Sequence, residues 1–287
     1  HGRDVHPVEF YFELGQRLIT TFSIYTIFIC LVIIFFNFFR ASPNGKAVLV
    51  GVFLCVILFF AVEIILYVCK VGKSHSIEKR PPRYMMKTGF GVKRPVPGRH
   101  RVFETTRKTG RMIFDVQYSI DEYGRRVTPI EVNGKRDKFI LFFGCSFTYG
   151  HGVKDNETLS SYIGDNTNVF MPYNYGFVGL GPFDVLAKIE NINFQNEVKE
   201  KNGILIYIFM DDHVRRTIGS SSSMSWKSRD AYYRKAKSGR LIRAGSFLTG
   251  RPFLTSIYRI LSKSRILKVL DIGFPLRIRD PHIKLVA

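Results

Sequence analysis

The sequence predicts an α/β protein with a mostly parallel sheet, and three observations indicate it. Residues 138–143, KFILFF, form a continuous apolar run of the kind found in strands buried on both faces. Two further runs of this kind, NVFMPYNYG and GILIYIFM, follow along the chain, and segments with helical patterning separate them. Strands that alternate with helices are typical of βαβ units, whose strands are parallel.

The segments around these strands carry their own signals. TLSSYIGD predicts the start of a helix, and PFDVLAKIENINFQNEV predicts a longer one opened by Pro182. Upstream, the alternation over residues 112–120 predicts a strand that ends in the turn DEYG. Beyond His213 we expect irregular structure, with SSSMSWKSRDAYYRKAKSGR as the least ordered part, and then a helical segment around residues 252–270.

Two long apolar runs precede this domain. Residues 18–39 carry no charge, and residues 47–69 are interrupted only by Glu63. Each run reaches the roughly 20 residues that a helix needs to span a bilayer, and a cleaved signal peptide would have a single, shorter run. We therefore expect a transmembrane hairpin over residues 1–69, with two buried core helices as the alternative.

The net charge of +20 is unevenly distributed. Residues 70–137 hold 17 basic against 7 acidic side chains, residues 214–287 hold 17 against 3, and only residues 138–213 are acidic, with 5 against 9. The stretch 70–111 is predicted to be a basic juxtamembrane linker suited to anionic lipid headgroups. Basic residues after the second run favour a cytoplasmic domain, whereas a role on envelope glycans would require the opposite side.

Reactive groups in such a sheet gather beyond the carboxyl ends of the strands. Three such ends can be recognised, namely GCSFTYG, YGFVGLGP and MDDH. A serine directly after a buried strand can present its hydroxyl beside backbone N–H groups, which are the groups that stabilise a tetrahedral oxyanion. Ser146 is therefore a candidate nucleophile, the alternative being a small residue in a tight loop.

At these residues the chain resembles the SGNH (GDSL-type) hydrolase superfamily. GCSFTYGHGV is similar to the first block of that family, NYGFVGLGP is similar to its second block, and MDDH falls where the third block occurs. YSIDEYGRR resembles the approach strand of membrane-tethered members. The resemblance covers residues 112–213 and implies a three-layer α/β/α, flavodoxin-like domain over residues 112–287.

The resemblance also implies roles for individual residues. Ser146 would be the nucleophile, and the backbone N–H groups of Ser146 and Gly179 would supply two of three oxyanion-hole donors. The family's third donor is an Asn, and Asp211 or Asp212 stands there instead. An ionised Asp accepts hydrogen bonds but cannot donate one, so the third donor is missing, or is a protonated Asp, or is His213. Cys145 replaces the family's usual Asp and is expected to be a small buried residue.

A serine nucleophile also needs a base. The family places its acid and base in a D-x-x-H block, and the segment Asp280-Pro281-His282 has one residue too few between the two. His151, in the loop after Ser146, is a further candidate but is more typical of a turn. We therefore expect the acid and base to lie beyond Ala287, so that the domain is incomplete at its C-terminus.

No nucleotide-binding loop, dinucleotide fingerprint or zinc motif occurs, and we predict neither a cofactor nor a metal. Asp211, Asp212 and His213 are adjacent and would point in different directions, which makes them a poor metal site. The sequence thus predicts a membrane-anchored serine ester hydrolase or O-acyltransferase that acts through an acyl-serine on acylated glycans, lipids or similar esters. The alternative is a catalytically inactive, membrane-anchored module that binds anionic glycan or lipid, and no nucleic-acid partner is expected.

Overall fold

The computed structural model describes residues 43–69, 77–80, 85–87, 93–106, 109–131 and 135–275. The chain divides into two compact units, one up to Cys69 and the other from Lys70 onward. In the first unit, helix α1 (Pro43–Val68) covers most of the second apolar run.

Among the described residues, none of the helices has the length and apolar character that crossing a membrane requires. The first run of the predicted transmembrane hairpin, residues 18–39, lies outside the described residues, and the hairpin stays a prediction.

The second unit contains ten strands and ten short helices among its described residues. The strands are β1 (Ile77–Arg80), β2 (Met85–Lys87), β3 (Lys93–Pro95), β4 (Gly98–Thr106), β5 (Met112–Ile120), β6 (Lys138–Phe143), β7 (Phe170–Asn174), β8 (Asn202–Tyr207), β9 (Ala231–Lys235) and β10 (Leu241–Ser246). The helices are α2 (Ser146–Tyr149), a 3₁₀ turn (Asp155–Glu157), α3 (Leu159–Asp165), α4 (Pro182–Ile189), α5 (Phe194–Glu197), α6 (Asp212–Ile218), α7 (Met224–Lys227), α8 (Phe247–Gly250), α9 (Pro252–Leu261) and α10 (Arg265–Val269).

The parallel sheet has the order β7-β6-β8, with β6 in the centre. Leu141 of β6 is in register with Tyr173 on one side and Leu205 on the other, and both pairings are parallel. An antiparallel sheet of order β1-β4-β5 adjoins it, while β2–β3 and β9–β10 are separate two-stranded sheets. The prediction of an α/β fold with a mostly parallel core sheet is confirmed.

The core lies beneath the carboxyl end of β6 and is largely aromatic. Phe143 stacks on Tyr175 with ring centroids 4.9 Å apart, and Tyr149 meets Phe177 edge-to-face at 5.3 Å. Tyr118 of β5 completes the row, again edge-to-face, against Tyr149 at 5.3 Å. All five rings are buried, so the antiparallel sheet and the loop after β6 share one packed core.

Several predicted elements differ from the structure. The region predicted as a linker, residues 70–111, contains β1 to β4, and β4 pairs with β5 from Gly98 to Thr105. The stretch expected to be least ordered contains α7 and β9, and β9 pairs with β10. The single helix predicted from Pro182 is interrupted between α4 and α5, and the segment around residues 252–270 forms two helices, α9 and α10.

One burial prediction was wrong. GILIYIFM was expected to be a buried strand, yet Ile204 and Leu205 of β8 are exposed on its two opposite faces. The reason is that β8 is an edge strand in the described part of the chain, whereas β6 has neighbours on both sides and buries Leu141, Phe142 and Phe143.

The two sheets are joined at Arg126. Its backbone forms isolated bridges to Ile120 at the end of β5 and to Asn174 at the end of β7. Its side chain is fully buried and lies over the ring of Tyr118, with the guanidinium carbon 4.1 Å from the centroid. The guanidinium donates to the Asp155 carboxylate at 2.9 Å and to three backbone carbonyls at the end of α2 and in the loop after it, those of Tyr149, Gly150 and Val153.

We expect Arg126→Met to lower the free energy of unfolding of the second unit by about 3–5 kcal/mol, because it leaves a carboxylate and three carbonyls without their buried donor. Urea unfolding followed by the fluorescence of Trp226, the only tryptophan of the chain, measures this change. The matched control is Arg101→Met, which removes an exposed pair with Asp115 and should leave the midpoint unchanged. Equal effects of the two substitutions would contradict the role given to Arg126.

Candidate active site

Ser146 lies directly beyond the central strand of the parallel sheet. After β6 ends at Phe143, Gly144 and Cys145 follow, and Ser146 is the first residue of α2. Ser146 is half-buried, whereas Cys145 is buried and its thiol faces the sulfur of Met210 at 3.3 Å. The position predicted for the nucleophile is therefore accessible, and Cys145 is a packed core residue.

The loop that contains Ser146 is held against the loop after β7. The backbone N–H of Phe177 donates to the carbonyl of Gly144 at 3.2 Å. A Cβ atom on Gly176 would lie 2.7 Å from the backbone nitrogen of Tyr149 and 2.8 Å from Cβ of Thr148. Only glycine at position 176 allows so close an approach, and it brings the predicted second block against the first.

The third loop joins at the same edge. The N–H of Ile208, just after β8, donates to the carbonyl of Phe143 at 2.8 Å. The contact between Cys145 and Met210 lies two residues further along each of these two segments. The structure thus brings the three predicted strand ends together beyond the sheet, as expected for parallel strands.

The two N–H groups predicted for the oxyanion hole are available. Among the described residues, none accepts a hydrogen bond from the backbone N–H of Ser146 or of Gly179, and none bonds to the Ser146 hydroxyl. Gly179 has a φ of +81°, a conformation that side-chain-bearing residues rarely adopt.

Gly179 is supported by Trp226, which sequence reasoning missed. An added Cβ at Gly179 would lie 3.3 Å from the Trp226 ring. Trp226 remains 42% exposed, so its ring forms part of the surface next to the glycine loop. Three cations lie within 6 Å of the ring centroid: Lys93 at 5.4 Å, Lys227 at 5.4 Å and Arg216 at 5.7 Å.

A buried charge cluster fixes the far end of the glycine loop. Lys227 donates to Asp184 at 2.5 Å and to Asp230 at 3.2 Å, and all three side chains are almost completely buried. Asp184 also accepts from the N–H of Gly181 at 2.8 Å, where α4 begins. Lys93 pairs with Asp230 at 3.1 Å. Burial raises the pKa of Asp230, and the charges of Lys227 and Lys93 oppose that shift.

Asp212 is bound to Arg216 rather than facing a substrate. The Nε–H of Arg216 donates to Asp212 at 2.7 Å, its Nη2 lies 2.6 Å from the same carboxylate oxygen, and its Nη1 donates to the carbonyl of Leu180 at 2.8 Å. The Asp212 carboxylate thus accepts a charge-assisted hydrogen bond from a cation. Asp211 is exposed, and among the described residues its carboxylate has no hydrogen-bond partner. Neither aspartate therefore replaces the missing Asn as a donor in this arrangement.

His213 is fully buried beneath the third loop. Its Nδ1 accepts from the Tyr207 hydroxyl at 2.7 Å and lies 3.4 Å from the N–H of Met210, so the proton of the neutral ring is on Nε2. Nε2 is buried, and among the described residues it has no partner. Burial lowers the pKa of His213 to about 4, with a further contribution from the charge of Arg216. A neutral, enclosed ring positions the loop and does not face a substrate.

His151 is likewise engaged away from Ser146. Its Nε2 lies 3.1 Å from the Glu104 carboxylate, and its Nδ1 lies 3.3 Å from the Tyr118 hydroxyl. That hydroxyl accepts from the N–H of Gly152 at 2.7 Å, which leaves its proton for the imidazole. With both ring nitrogens occupied, His151 does not serve as the base in this arrangement. Asp280 and His282 lie outside the described residues.

No protein-family model matches this chain, and no curated protein matches it either.

The sequence carried a signal for some of the supporting contacts around the site that were not predicted, and none for others. Asp212 and Arg216 stand four residues apart, and Lys227 and Asp230 three apart, which are spacings that bring opposite charges together on a helix. Those two pairs could have been found. Nothing in the sequence connects Trp226 to Gly179, 47 positions away, because that contact depends on the tertiary fold.

We expect Gly176→Ala to destabilise the second unit by about 1–3 kcal/mol and to separate the first two loops, because the new methyl group would meet backbone that cannot move aside. The matched control is Gly51→Ala in α1, where an added Cβ meets nothing within 4 Å. Thermal unfolding of both variants measures the difference. A Gly176→Ala protein as stable as the parent would contradict the close approach.

The pKa of His213 predicts a loss of stability in acid. Since the folded protein binds this proton only near pH 4 and the unfolded chain binds it near pH 6.5, the unfolded state carries more protons between these values. The free energy of unfolding should therefore fall by up to about 3 kcal/mol as the pH drops from 6.5 to 4, and His213→Gln should lack this component. Nuclear magnetic resonance of the imidazole C2 proton provides a direct check, and titration of His213 near pH 6.5 would contradict the prediction.

Proposed function

We propose that this protein is a serine ester hydrolase or O-acyltransferase that carries its acyl group on Ser146. The observation behind the proposal is the accessible Ser146 hydroxyl beyond the central strand, next to a glycine loop, with the N–H groups of Ser146 and Gly179 both unengaged among the described residues. Two free N–H groups in adjoining loops are the donors that a tetrahedral oxyanion requires.

The chemistry follows from this arrangement. The Ser146 oxygen attacks the carbonyl carbon of an ester and passes its proton to a base. The tetrahedral oxyanion accepts from the two N–H groups, and the alcohol leaves with a proton to give the acyl-serine. Water or a sugar hydroxyl then attacks the acyl-serine and regenerates the serine. With only two donors, turnover should be slower by about 10²–10³ than with a complete set of three.

The base must come from outside the described residues. The three histidines whose side chains the structure describes are all engaged elsewhere, His100 with the carbonyl of Val96, His151 with Glu104, and His213 with Tyr207. The proposal therefore assigns the proton transfer to a histidine outside the described ranges, for which Asp280 and His282 are one candidate pair.

Acylated glycans, lipids and related envelope esters are the proposed substrates, on the basis of the resemblance to the SGNH superfamily. The same resemblance underlies the proposal of a three-layer, flavodoxin-like domain that is attached to a membrane. The strand order β7-β6-β8 supports the flavodoxin-like architecture. The second strand of the parallel sheet lies on one side of the first strand and the third lies on the other side, as in flavodoxin-like sheets.

The decisive experiment uses the protein expressed from its complete reading frame. We expect hydrolysis of a short-chain aryl ester by the parent and a loss of at least about 10³-fold with Ser146→Ala, because the substitution removes the hydroxyl that forms the acyl intermediate. Ser225→Ala, at an exposed serine outside the site, is the control and should retain full activity. Equal turnover by Ser146→Ala and the parent would rule out the serine mechanism.

A second function, binding without catalysis, is supported by one observation. Asp212, at the position of the missing Asn, is committed to Arg216 and cannot donate to an oxyanion. An organophosphate that labels activated serines separates the two functions. Labelling of Ser146, detected by mass spectrometry, favours the enzyme, whereas an unlabelled but folded protein favours the binding module.

A further inference from the structure

The hairpin formed by β9 and β10 extends beyond the core. At its base, Tyr233 is buried and its hydroxyl donates to Glu190 at the end of α4. Two residues further along the same face, Lys235 is exposed, and so is its cross-strand partner Leu241. The other face also ends in a cation opposite an aliphatic side chain, Arg234 opposite Ile242. Both faces of the outer end of the hairpin, residues 234–242, are therefore exposed, and we call this segment the tip.

The tip is strongly basic and its charges are unpaired. Residues 231–246 contain five basic side chains and no acidic one. Four of the five have no ion pair and no hydrogen bond from the side chain within the described ranges: Arg234, Lys235, Lys237 and Arg240. The turn itself is ordered by backbone bonds, from Ala236 N–H to Arg240 and from Gly239 N–H to Ala236, at 2.8 and 2.9 Å.

Aliphatic side chains lie between these charges. Leu241 is 52% exposed and Ile242 is 47% exposed, in the strand directly after Arg240. Aliphatic side chains exposed on both faces of a hairpin are unfavourable in water, and their insertion between acyl chains lowers the free energy.

The aromatic rings of the hairpin point the other way. Tyr233 packs against Phe183 at 5.2 Å, and Tyr232 packs against Phe247 at 5.1 Å. Proteins that bind single-stranded nucleic acid stack bases on exposed aromatic rings, and this tip offers none. Cations that flank exposed aliphatic side chains suit a surface that is anionic outside and apolar beneath.

We propose that the tip of the β9–β10 hairpin, residues 234–242, docks onto an anionic lipid bilayer. Arg234, Lys235, Lys237 and Arg240 contact the headgroup phosphates, while Leu241 and Ile242 enter the boundary between headgroups and acyl chains. This inference does not depend on the proposed chemistry at Ser146.

The test places a reporter at the tip. Binding of the whole chain to vesicles would not be specific, because the apolar runs of residues 18–39 and 47–69 are themselves expected to bind lipid. Ser238→Trp introduces an indole in the turn, and its signal is obtained by subtracting that of the parent, which contains Trp226 alone. The full chain is mixed with vesicles of brominated phosphatidylcholine, with and without about one part in four of phosphatidylglycerol. Quenching by the brominated chains reports insertion of the tip.

We expect quenching with the anionic vesicles and little with the neutral ones, and a loss of quenching at high salt. Apparent affinity for the anionic vesicles should fall about fivefold for each tip cation changed to Gln. Leu241→Ser with Ile242→Ser should abolish quenching at unchanged charge. Arg99→Gln with Arg229→Gln, at exposed cations outside the hairpin, is the matched control and should have no effect.

Three outcomes would overturn the proposal. Equal quenching by neutral and anionic vesicles would show that the cations do not contribute to binding. An absence of quenching with both kinds of vesicle would show that the tip does not dock onto lipid. A shift of the indole emission with an RNA oligonucleotide, without quenching by lipid, would assign the tip to nucleic acid instead.

Discussion

The buried guanidinium of Arg126 is the interaction on which the arrangement of the second unit depends. The backbone of Arg126 connects the end of the antiparallel sheet to the end of β7, and its side chain binds the end of α2 and the loop that follows. A buried charged group is stable only when hydrogen bonds compensate it, and here each of the three guanidinium nitrogens donates, to one carboxylate and three carbonyls in all. The path of the chain after Ser146 is therefore set by the joint between the two sheets.

A second buried cation has the same effect on the other side of the site. Lys227 binds Asp184 and Asp230, and Arg216 binds Asp212, so that segments from residues 181 to 230 converge on the glycine loop. Together with Lys93, these side chains carry three positive and three negative charges, which cancel. The buried pairs that Lys227 makes with Asp184 and Asp230 add little net stability but restrict the geometry strongly. The conformation of Gly179 thus depends on a charge cluster that no substrate needs to touch.

The sequence was informative where local pattern decides structure. KFILFF predicted a buried strand of a parallel sheet, and GCSFTYG and YGFVGLGP indicated the loops beyond the strand ends, because both signals depend on neighbouring residues alone. It was misleading in the basic regions, since Lys and Arg spacing says nothing about pairing across strands: the predicted linker forms β1 to β4, and the stretch expected to be irregular forms α7 and β9. The burial of His213 could not be predicted, because it depends on the way α6 packs, whereas the spacing of Asp212 and Arg216 was visible in the sequence.

The hairpin and the candidate site are mechanically connected. β9 begins at Ala231, directly after Asp230 of the buried charge cluster, and Ala231 itself is buried. Lys227 of the same cluster lies 3.5 Å from the carbonyl of Gly179, so only a few covalent and hydrogen bonds separate the base of the hairpin from the glycine loop. If the tip rests on a lipid surface, Gly179 and Ser146 are held at a fixed offset from that surface. An ester on a membrane lipid, or on a glycan close to the membrane, would then reach Ser146 by diffusion along the membrane surface. The effective concentration of that ester at Ser146 would be set by the docking of the hairpin rather than by the affinity of the site itself.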